Sequence, residues 1–587
     1  MQRILSLIRQ RLLQDECKTL SSSRRKITRL ALISRICLLL GMASSCALIP
    51  DFLAGDDVLT FDLRLSEKSF AFCLEDHACA HWMKEEDCSS NGNESTYQEC
   101  SLQSNRGTFK VNFYKFFLTP LTRWDASRFL ALAAKPTMRQ LSGNDGNGSD
   151  EFIISEKAHA FFPLVPIIYR YCALGLLRIL PMKILPPTFE ATIVVAALIW
   201  NTICFVLAAL ALHGLTYQLV STSERVSKLE NGSKSDSQAP AFALKAAHVT
   251  SNLFCINPAN VFFMAAYSEA TFCFLTFSGH CFYATYLCER SRIQLCGAVI
   301  LWTLASYARS NGSFSAIFIF ISCCARIIYQ WSPSMRKTIM KSVWNVLSHA
   351  SIAFLIFFPV LYHDKRGYDF HCTLDDEKTP EWCENESTDF SLYGHVQRKH
   401  WNVGFLRYYE LKQIPNFLLA APILCLGTSA VVNWICNSYS NYCLTLGKCD
   451  TNSLSLLRWA IFSLGLSGGT KTNVANTKMK KVDESIITES LLGSNMLAHY
   501  AILVGFVFVG ITIAHVQIST RLICSSCPAI YWYISSLVLT SDDTEDRMPR
   551  DKWIGGKFGK SQDILIVYLL GYNVLGILLH VNWLPWT

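Results

Sequence analysis

The chain has 587 residues, 51% of them hydrophobic and only 17% charged, with a net charge of +8 at pH 7 and a mean hydropathy of +0.25. Soluble domains carry roughly 25% charged residues, and their strands alternate apolar with polar positions; here the apolar residues fall into long unbroken runs. Thirty-six Phe, 22 Tyr and 14 Trp exclude a disordered chain. What remains is an all-α polytopic membrane protein, and at about 20 apolar residues per span of a hydrocarbon core about 30 Å thick the length allows around ten crossings.

Residues 1–29 form a basic, cytosolic N-terminus, because Arg3, Arg9, Arg11, Lys18, Arg24, Arg25, Lys26 and Arg29 precede the first apolar run and only Asp15 and Glu16 oppose them. A mitochondrial presequence or a nucleic-acid patch is disfavoured by that acidic pair and by the span that follows at once. The run 30–53 reads as an uncleaved signal anchor, which puts residues 54–157 in the lumen. This loop carries Cys73, Cys79, Cys88 and Cys100 with Asn-x-Ser acceptors at Asn93 and Asn147, the pattern of a disulfide-stapled glycoprotein in an oxidising compartment, with three pairings open. A zinc site with His77 and His81 competes, without the paired C-x-x-C spacing that would support it.

Residues 158–363 contain apolar runs at about 160–180, 189–221, 242–256, 261–286, 294–308, 313–330 and 346–363. A second lumenal loop over 364–413 holds Cys372, Cys383 and the acceptor Asn385, and residues 414–587 add the C-terminal spans. Polar stretches at 222–240 and 468–490 read as cytosolic connectors. For that to hold, 160–180 and 189–221 cannot both cross fully, and one of them is re-entrant or interfacial. Cysteines inside the runs, Cys204, Cys255, Cys273, Cys323 and Cys324, read as small buried hydrophobes, and the C-x-x-C of Cys524 and Cys527 as structural.

An ionisable residue within or beside a span is costly and is a functional candidate. Four places qualify. In TRWDASRFLALA, Asp125 beside Trp124 can accept a proton from an attacking hydroxyl, or simply cap the apolar helix that follows. In EKAHAFFPLVP, Glu156 and His159 share one helix face at i, i+3, as an acceptor site or as polar anchors of an aromatic belt. In FCINPANVFFMAAYSEATFCFLTFSG, Asn257-Pro258 breaks two apolar helices, and Tyr267, Ser268 and Glu269 fall a turn or two into the second. Last come cations in apolar or aromatic surroundings, Arg309, Arg407, Lys412 and Arg521, able to hold a phosphate or to snorkel to the headgroups. There is no G-x-x-x-x-G-K-[ST], H-E-x-x-H or Asp-x-Asp, which disfavours a soluble-type, metal-dependent transferase.

These segments resemble one family. FCINPANVFFMAAYSEATFCFLTFSGH is similar to the signature of the PIG-V family of GPI mannosyltransferases, and RWDASRF, AHAFFPLVP, SYARSNG, WNVGFLRYYELKQIPNFLLAAP, HVQISTR and the terminal NWLPWT follow in the family's order over 121–587. The cysteine-containing insert before Asp125 and the 222–240 and 468–490 connectors depart from it. The resemblance implies a GT-C glycosyltransferase fold with roughly 9–11 transmembrane or re-entrant helices and lumenal loops, in the endoplasmic reticulum membrane. It implies transfer of mannose from dolichyl phosphate mannose to the first mannose of the glycosylphosphatidylinositol precursor, through an inverting α-1,6 reaction.

The acidic base of such families maps to Asp125. Trp124, Glu156, His159, Asn257, Tyr267, Glu269 and Gln517 become candidates for sugar and acceptor contacts, and Arg309, Lys412 and Arg521 for the donor phosphate. No cofactor or metal is implied beyond the lipid-linked donor, and the partners are that donor and the glycolipid acceptor, with room for a small membrane partner subunit. Against this stand a lipid transporter or scramblase, which would usually show an inverted repeat, a non-catalytic subunit in which Asp125 is dispensable, and another dolichyl-phosphate-sugar transferase of the same class.

Overall fold

A computed structural model describes residues 19–49, 63, 71–74, 78–81, 112–134, 156–181, 184–186, 188–230, 239–330, 335–372, 383, 391–446, 479–539 and 558–584. Among the described residues helices dominate, with one short antiparallel hairpin, β1 (Ala71–Leu74) paired with β2 (Ala78–His81). Among the described residues six helices are long and apolar enough to cross a membrane: Leu20–Leu48, Phe189–Thr222, Ser310–Ile327, Ser342–Cys372, Leu411–Ser438 and Asp563–Val581. Val516–Ser526 and Pro528–Leu539, bent by 81°, make a seventh if taken as one span, and Arg292–Ala308 and Met496–Thr512 are shorter apolar helices. The chain is therefore an all-α, multi-pass membrane protein.

Several boundaries differ from expectation. The first helix runs over Leu20–Leu48 rather than 30–53, so Arg24, Arg25, Lys26 and Arg29 lie on its first turns; arginine and lysine are good helix formers, and their charge does not stop the helix. The helix expected to end at 221 continues as Phe189–Glu230, the expected 364–413 loop begins as the end of Met335–Cys372, and part of the 468–490 connector is helix Met479–Thr512. Polarity marked where the apolar stretch ends and not where the hydrogen-bond ladder ends. Of the two runs that could not both cross, Leu164–Ile179 has 16 residues, about 24 Å, and is the short one. Cys372 and Cys383 form a disulfide. Cys73 faces Cys79 in the hairpin register, whereas Cys88, Cys100, Asn93, Asn147, Asn385 and His77 lie outside the described residues. Cys524 and Cys527 are both buried free thiols.

The chain divides into two units. One comprises Met1–Ala31, Val206–Pro258 and Thr271–Leu570. Within it helix Ala316–Gln330 packs on Met335–Cys372 and on Met479–Thr512, and Ala239–Cys255 packs on Pro528–Leu539. An aromatic cluster of His280, Trp302, Phe318, His499 and Trp532 fills the interior, with Trp302 stacked on Phe318 at 5.3 Å. Gly279 is required there, since a Cβ would meet the Trp302 ring at 2.5 Å. Ser23 ties the N-terminal helix to this unit, its hydroxyl lying 2.9 Å from His213 Nε2 and 3.0 Å from His248 Nδ1.

The other unit comprises Leu32–Phe205, Ala259–Ala270 and Gly571–Thr587. Its centre is the irregular segment 259–268, where every side chain is buried. A single 3-10 turn, Asn260–Phe263, is followed by bends until helix Glu269–Glu289 begins. Buried backbone groups outside a helix need partners, and polar side chains supply them. Arg35, fully buried in the first helix and 3.7 Å above the Phe205 ring, donates to the Asn260 carbonyl and side-chain oxygens. Asn260 Nδ2 donates in turn to Asn573 Oδ1 at 2.8 Å. Tyr169 hydroxyl donates to the Tyr267 carbonyl at 2.7 Å, and Asn201 Nδ2 to the Ala265 carbonyl at 2.7 Å. The Ala266 amide reaches the Leu121 carbonyl at 3.2 Å.

A buried acceptor stripped of its donor costs about 1–3 kcal/mol. Asn201→Ala is therefore expected to lower the thermal unfolding midpoint of the detergent-solubilised protein by several degrees, and Tyr169→Phe by less, since the Tyr267 carbonyl keeps a second, longer contact to Asn201 at 3.5 Å. An unchanged midpoint for Asn201→Ala would show that the segment does not need its clamp.

Candidate functional site

The second unit gathers Trp124, Asp125, His159, Tyr267 and Glu269. A 3-10 turn with Pro120 near its start, Thr119–Thr122, leads to Trp124, whose backbone is left-handed at φ 57°. Bulky L-residues avoid that region, and where they are held in it the strain is commonly part of a functional site. Asp125 then opens helix Asp125–Ala134 as its first residue. The turn is closed by Ser127, whose amide and hydroxyl both donate to the Trp124 carbonyl, at 3.0 and 2.7 Å. Asp125 is half-buried, while Ala126, Phe129, Leu130 and Ala133 form the inner face of its helix. Burial pushes the Arg128 guanidinium below its ordinary value, and the Asp125 carboxylate opposes that shift, so the two charges sense each other.

Around this turn the side chains close into an aromatic wall. Phe129 lies 5.2 Å from Phe161 and 6.5 Å from Tyr267. Tyr267 meets Phe262 at 5.4 Å and His580 at 5.7 Å. Trp124 packs on Trp583 at 5.2 Å, and its Nε1 donates to the His580 carbonyl at 3.1 Å. Glu156 and His159 sit on a 3-10 turn, Glu156–Ala160, rather than on an α-helix; at three residues per turn their side chains eclipse, so the shared face survives the change of helix type. His159 is buried and Glu156 half-buried. Tyr267 and Glu269 do not lie a turn or two into a helix, as the apolar pattern implied. Glu269 is the first residue of Glu269–Glu289 and Tyr267 precedes it in the bend. A carboxylate at a helix N-terminus is favoured by the helix dipole, and Glu269, fully buried, acts electrostatically on the Tyr169 hydroxyl.

The remaining candidates fall in the first unit. Asn257 is fully buried and its amide donates to the Phe254 carbonyl at 2.9 Å, finishing helix Ala239–Cys255. Arg309, half-buried at the end of Arg292–Ala308, donates from Nε to Asn311 Oδ1 at 3.3 Å, its guanidinium 5.9 Å from the centre of the Phe272 ring. Gln517 and Arg521 are buried on consecutive short helices, Val516–Ile518 and Ser519–Ser526. Lys412 is exposed and paired with Glu410, and Arg407 is exposed. Tyr409, Glu410 and Leu411 line one end of a largely apolar groove of about 800 Å³ that runs along Ile414–Ser429. Among the described residues no cluster of three or more His, Cys, Asp or Glu is placed to hold a metal ion.

Sequence reasoning missed Arg35, Tyr169, Asn201, His580 and Trp583. Arg35 carried a signal, as a cation inside an apolar run, and Trp583 lies in the terminal NWLPWT segment; Tyr169, Asn201 and His580 carry no local signal until the fold gives them partners.

His515, in the turn after Met479–Thr512, packs 3.9 Å from Tyr408, and burial pushes its imidazole down to about 4. The unfolded chain binds that proton near pH 6.5, so stability falls as pH drops below about 6.5 and goes on falling to about 4. Thermal midpoints in detergent are expected to decline from pH 7 to pH 5, and His515→Asn to make that decline shallower. An equal slope in the variant would show that other groups carry it.

A family model described as Mannosyltransferase (PIG-V) matches residues 234–587. The GPI alpha-1,6-mannosyltransferase 2 of Mus musculus is 30% identical over 518 residues, covering 80% of this chain and 87% of that protein. The Homo sapiens protein of the same name is 27% identical over 512 residues with the same coverage. Among solved structures, an archaeal oligosaccharyltransferase, AglB from Archaeoglobus fulgidus in complex with an inhibitory peptide and a dolichol-phosphate, aligns at 12% identity with a TM-score of 0.30, over 72% of this chain and 47% of that one, a value at which the two folds are not equated. The family match spans more than half of the chain and the relatives most of its length: the chain belongs to the PIG-V family of mannosyltransferases and is a membrane-embedded glycosyltransferase.

Proposed function

We propose that this chain adds the second mannose to the glycosylphosphatidylinositol precursor, from dolichyl phosphate mannose, on the lumenal face of the endoplasmic reticulum membrane. The reading is carried by relatives whose printed activity is GPI alpha-1,6-mannosyl transfer and which align over 80% of the chain. It is supported by the placement of Asp125 at the start of a helix, directly after a strained tryptophan, in the segment that resembles the family's catalytic motif. The fold it implies is of the GT-C class.

In the proposed reaction Asp125 accepts the proton of the acceptor 6-hydroxyl as its oxygen attacks the anomeric carbon. The β-linked lipid phosphate departs from the opposite face, leaving an α-1,6 bond and inverted configuration. The sugar gains oxocarbenium character and the phosphate oxygens gain charge, so fixed cations near the phosphate lower the barrier. Arg309 and Arg521 are the better-buried candidates for that role, and Lys412 the exposed one. Trp124, Glu156, His159, Tyr267 and Glu269 are the proposed walls of the sugar and acceptor sites, with Asn257 and Gln517 as further candidates in the family motifs. The departing lipid phosphate is already activated, so base catalysis of about 10²- to 10⁴-fold adds to positioning, without a cofactor.

The test is complementation of cells lacking the second GPI mannosyltransferase. The unmodified chain is expected to restore surface GPI-anchored protein. Asp125→Asn, expressed and located normally, is expected to leave the one-mannose precursor to accumulate. Equal rescue by both would remove Asp125 from the chemistry and direct attention to Glu156 or Glu269; no rescue by either, despite correct location, would point to another acceptor or a missing subunit.

A further inference from the structure

We propose that the C-terminal segment His580–Trp583 is a latch that holds Trp124 in its left-handed conformation and so aims the Asp125 carboxylate, with Trp583 as a positioning residue. This rests on the reading of Asp125 as the base.

The argument begins with the end of the last helix, Phe558–Val581. The Leu584 amide returns to the Leu579 carbonyl at 2.9 Å, and Trp583 has φ 59°. Together these form a Schellman closure, in which the left-handed residue is ordinarily glycine because a Cβ is unfavourable there. Here the position carries the largest side chain available, and the residue is 6% exposed. A helix end alone does not call for tryptophan at that place; the ring serves what it touches.

It touches the two residues before Asp125. Its ring centre lies 5.2 Å from that of Trp124, and the Arg123 guanidinium, buried, lies 5.2 Å above it. One turn earlier, the His580 carbonyl accepts the Trp124 indole hydrogen at 3.1 Å. Trp124 is therefore fixed from the C-terminal segment at both its ring face and its indole nitrogen, while Ser127 fixes its carbonyl. A strained backbone persists only where its surroundings over-determine it, and these are the contacts that do so.

The latch is itself anchored. Asn582 Nδ2 donates to Ser45 Oγ at 2.9 Å and to the Leu578 carbonyl at 2.8 Å, and Arg123 Nη2 reaches Cys46 Sγ at 3.8 Å. The end of the first helix thus holds both the latch and Arg123, the residue before Trp124. Were Trp124 to relax to an ordinary φ, the chain direction at residue 125 would turn, and the carboxylate would leave its line to the acceptor oxygen. A misplacement of about 1 Å is enough to cost about a hundredfold in rate.

The experiment uses the full-length protein in lipid nanodiscs, with dolichyl phosphate mannose and a one-mannose glycolipid acceptor, comparing Trp583→Gly, Trp583→Leu, Trp583→Phe and Asp125→Asn. Glycine supplies the residue the helix end ordinarily takes, leucine keeps apolar bulk, and phenylalanine keeps a ring. The latch gives at least a tenfold loss of kcat in the Gly and Leu variants with KM within twofold, most of the rate restored in Trp583→Phe, and cooperative unfolding retained in the Leu and Phe variants. Full kcat in Trp583→Leu, with Asp125→Asn inactive, overturns the latch and leaves the base. Loss in the Leu and Phe variants alike, tracking a lowered unfolding midpoint, overturns it in favour of plain packing. Full activity of Asp125→Asn overturns the base reading itself, and with it the reason for a latch.

Discussion

A chain that leaves helical geometry inside an apolar bundle exposes carbonyl and amide groups that water does not reach, and each must find a partner. Residues 259–268 do this with every side chain buried. The chain meets the demand from several directions, through Arg35 on Asn260, Asn573 on the Asn260 amide, Tyr169 and Asn201 on the carbonyls of Ala265 and Tyr267, and the Leu121 carbonyl on the Ala266 amide. The first helix, two interior helices, the turn before Asp125 and the last helix are thereby joined at one place.

That place is where the chemistry is proposed. The segment that needed clamping carries Tyr267 near its end and leads directly into Glu269, and the turn whose carbonyl helps to clamp it continues into Trp124 and Asp125. A rigid polar frame is what proton abstraction at a fixed angle requires, because preorganised groups do not have to reorient as charge develops. The same frame explains two tryptophans in left-handed conformations beside one another. Strain of that kind is costly alone and tolerable where neighbours hold it.

Hydropathy gave the membrane class, the positions of most spans and the broken helix at Asn257-Pro258, since apolar runs and proline act locally. The motifs gave the family, and with it Trp124, Asp125, His159, Tyr267 and Glu269, which the fold does bring into one unit. Helix ends were read less well: Phe189–Glu230 and Met335–Cys372 run on through polar sequence because backbone hydrogen bonds do not stop where hydrophobicity does. Arg35, Asn201 and Tyr169 escaped notice because their importance lies in backbone carbonyls far away in sequence, and no local pattern records such a partner. Trp583 lay within the quoted NWLPWT segment, but the left-handed backbone that sets it apart is not legible in its residue type.

The most direct measurement is the product itself. Purified chain in nanodiscs, given labelled dolichyl phosphate mannose and a synthetic one-mannose glycosylphosphatidylinositol, is expected to yield a two-mannose lipid whose new bond is cleaved by an α-1,6-specific mannosidase. Transfer to another acceptor only, or a bond of other position or anomeric configuration, would contradict the account.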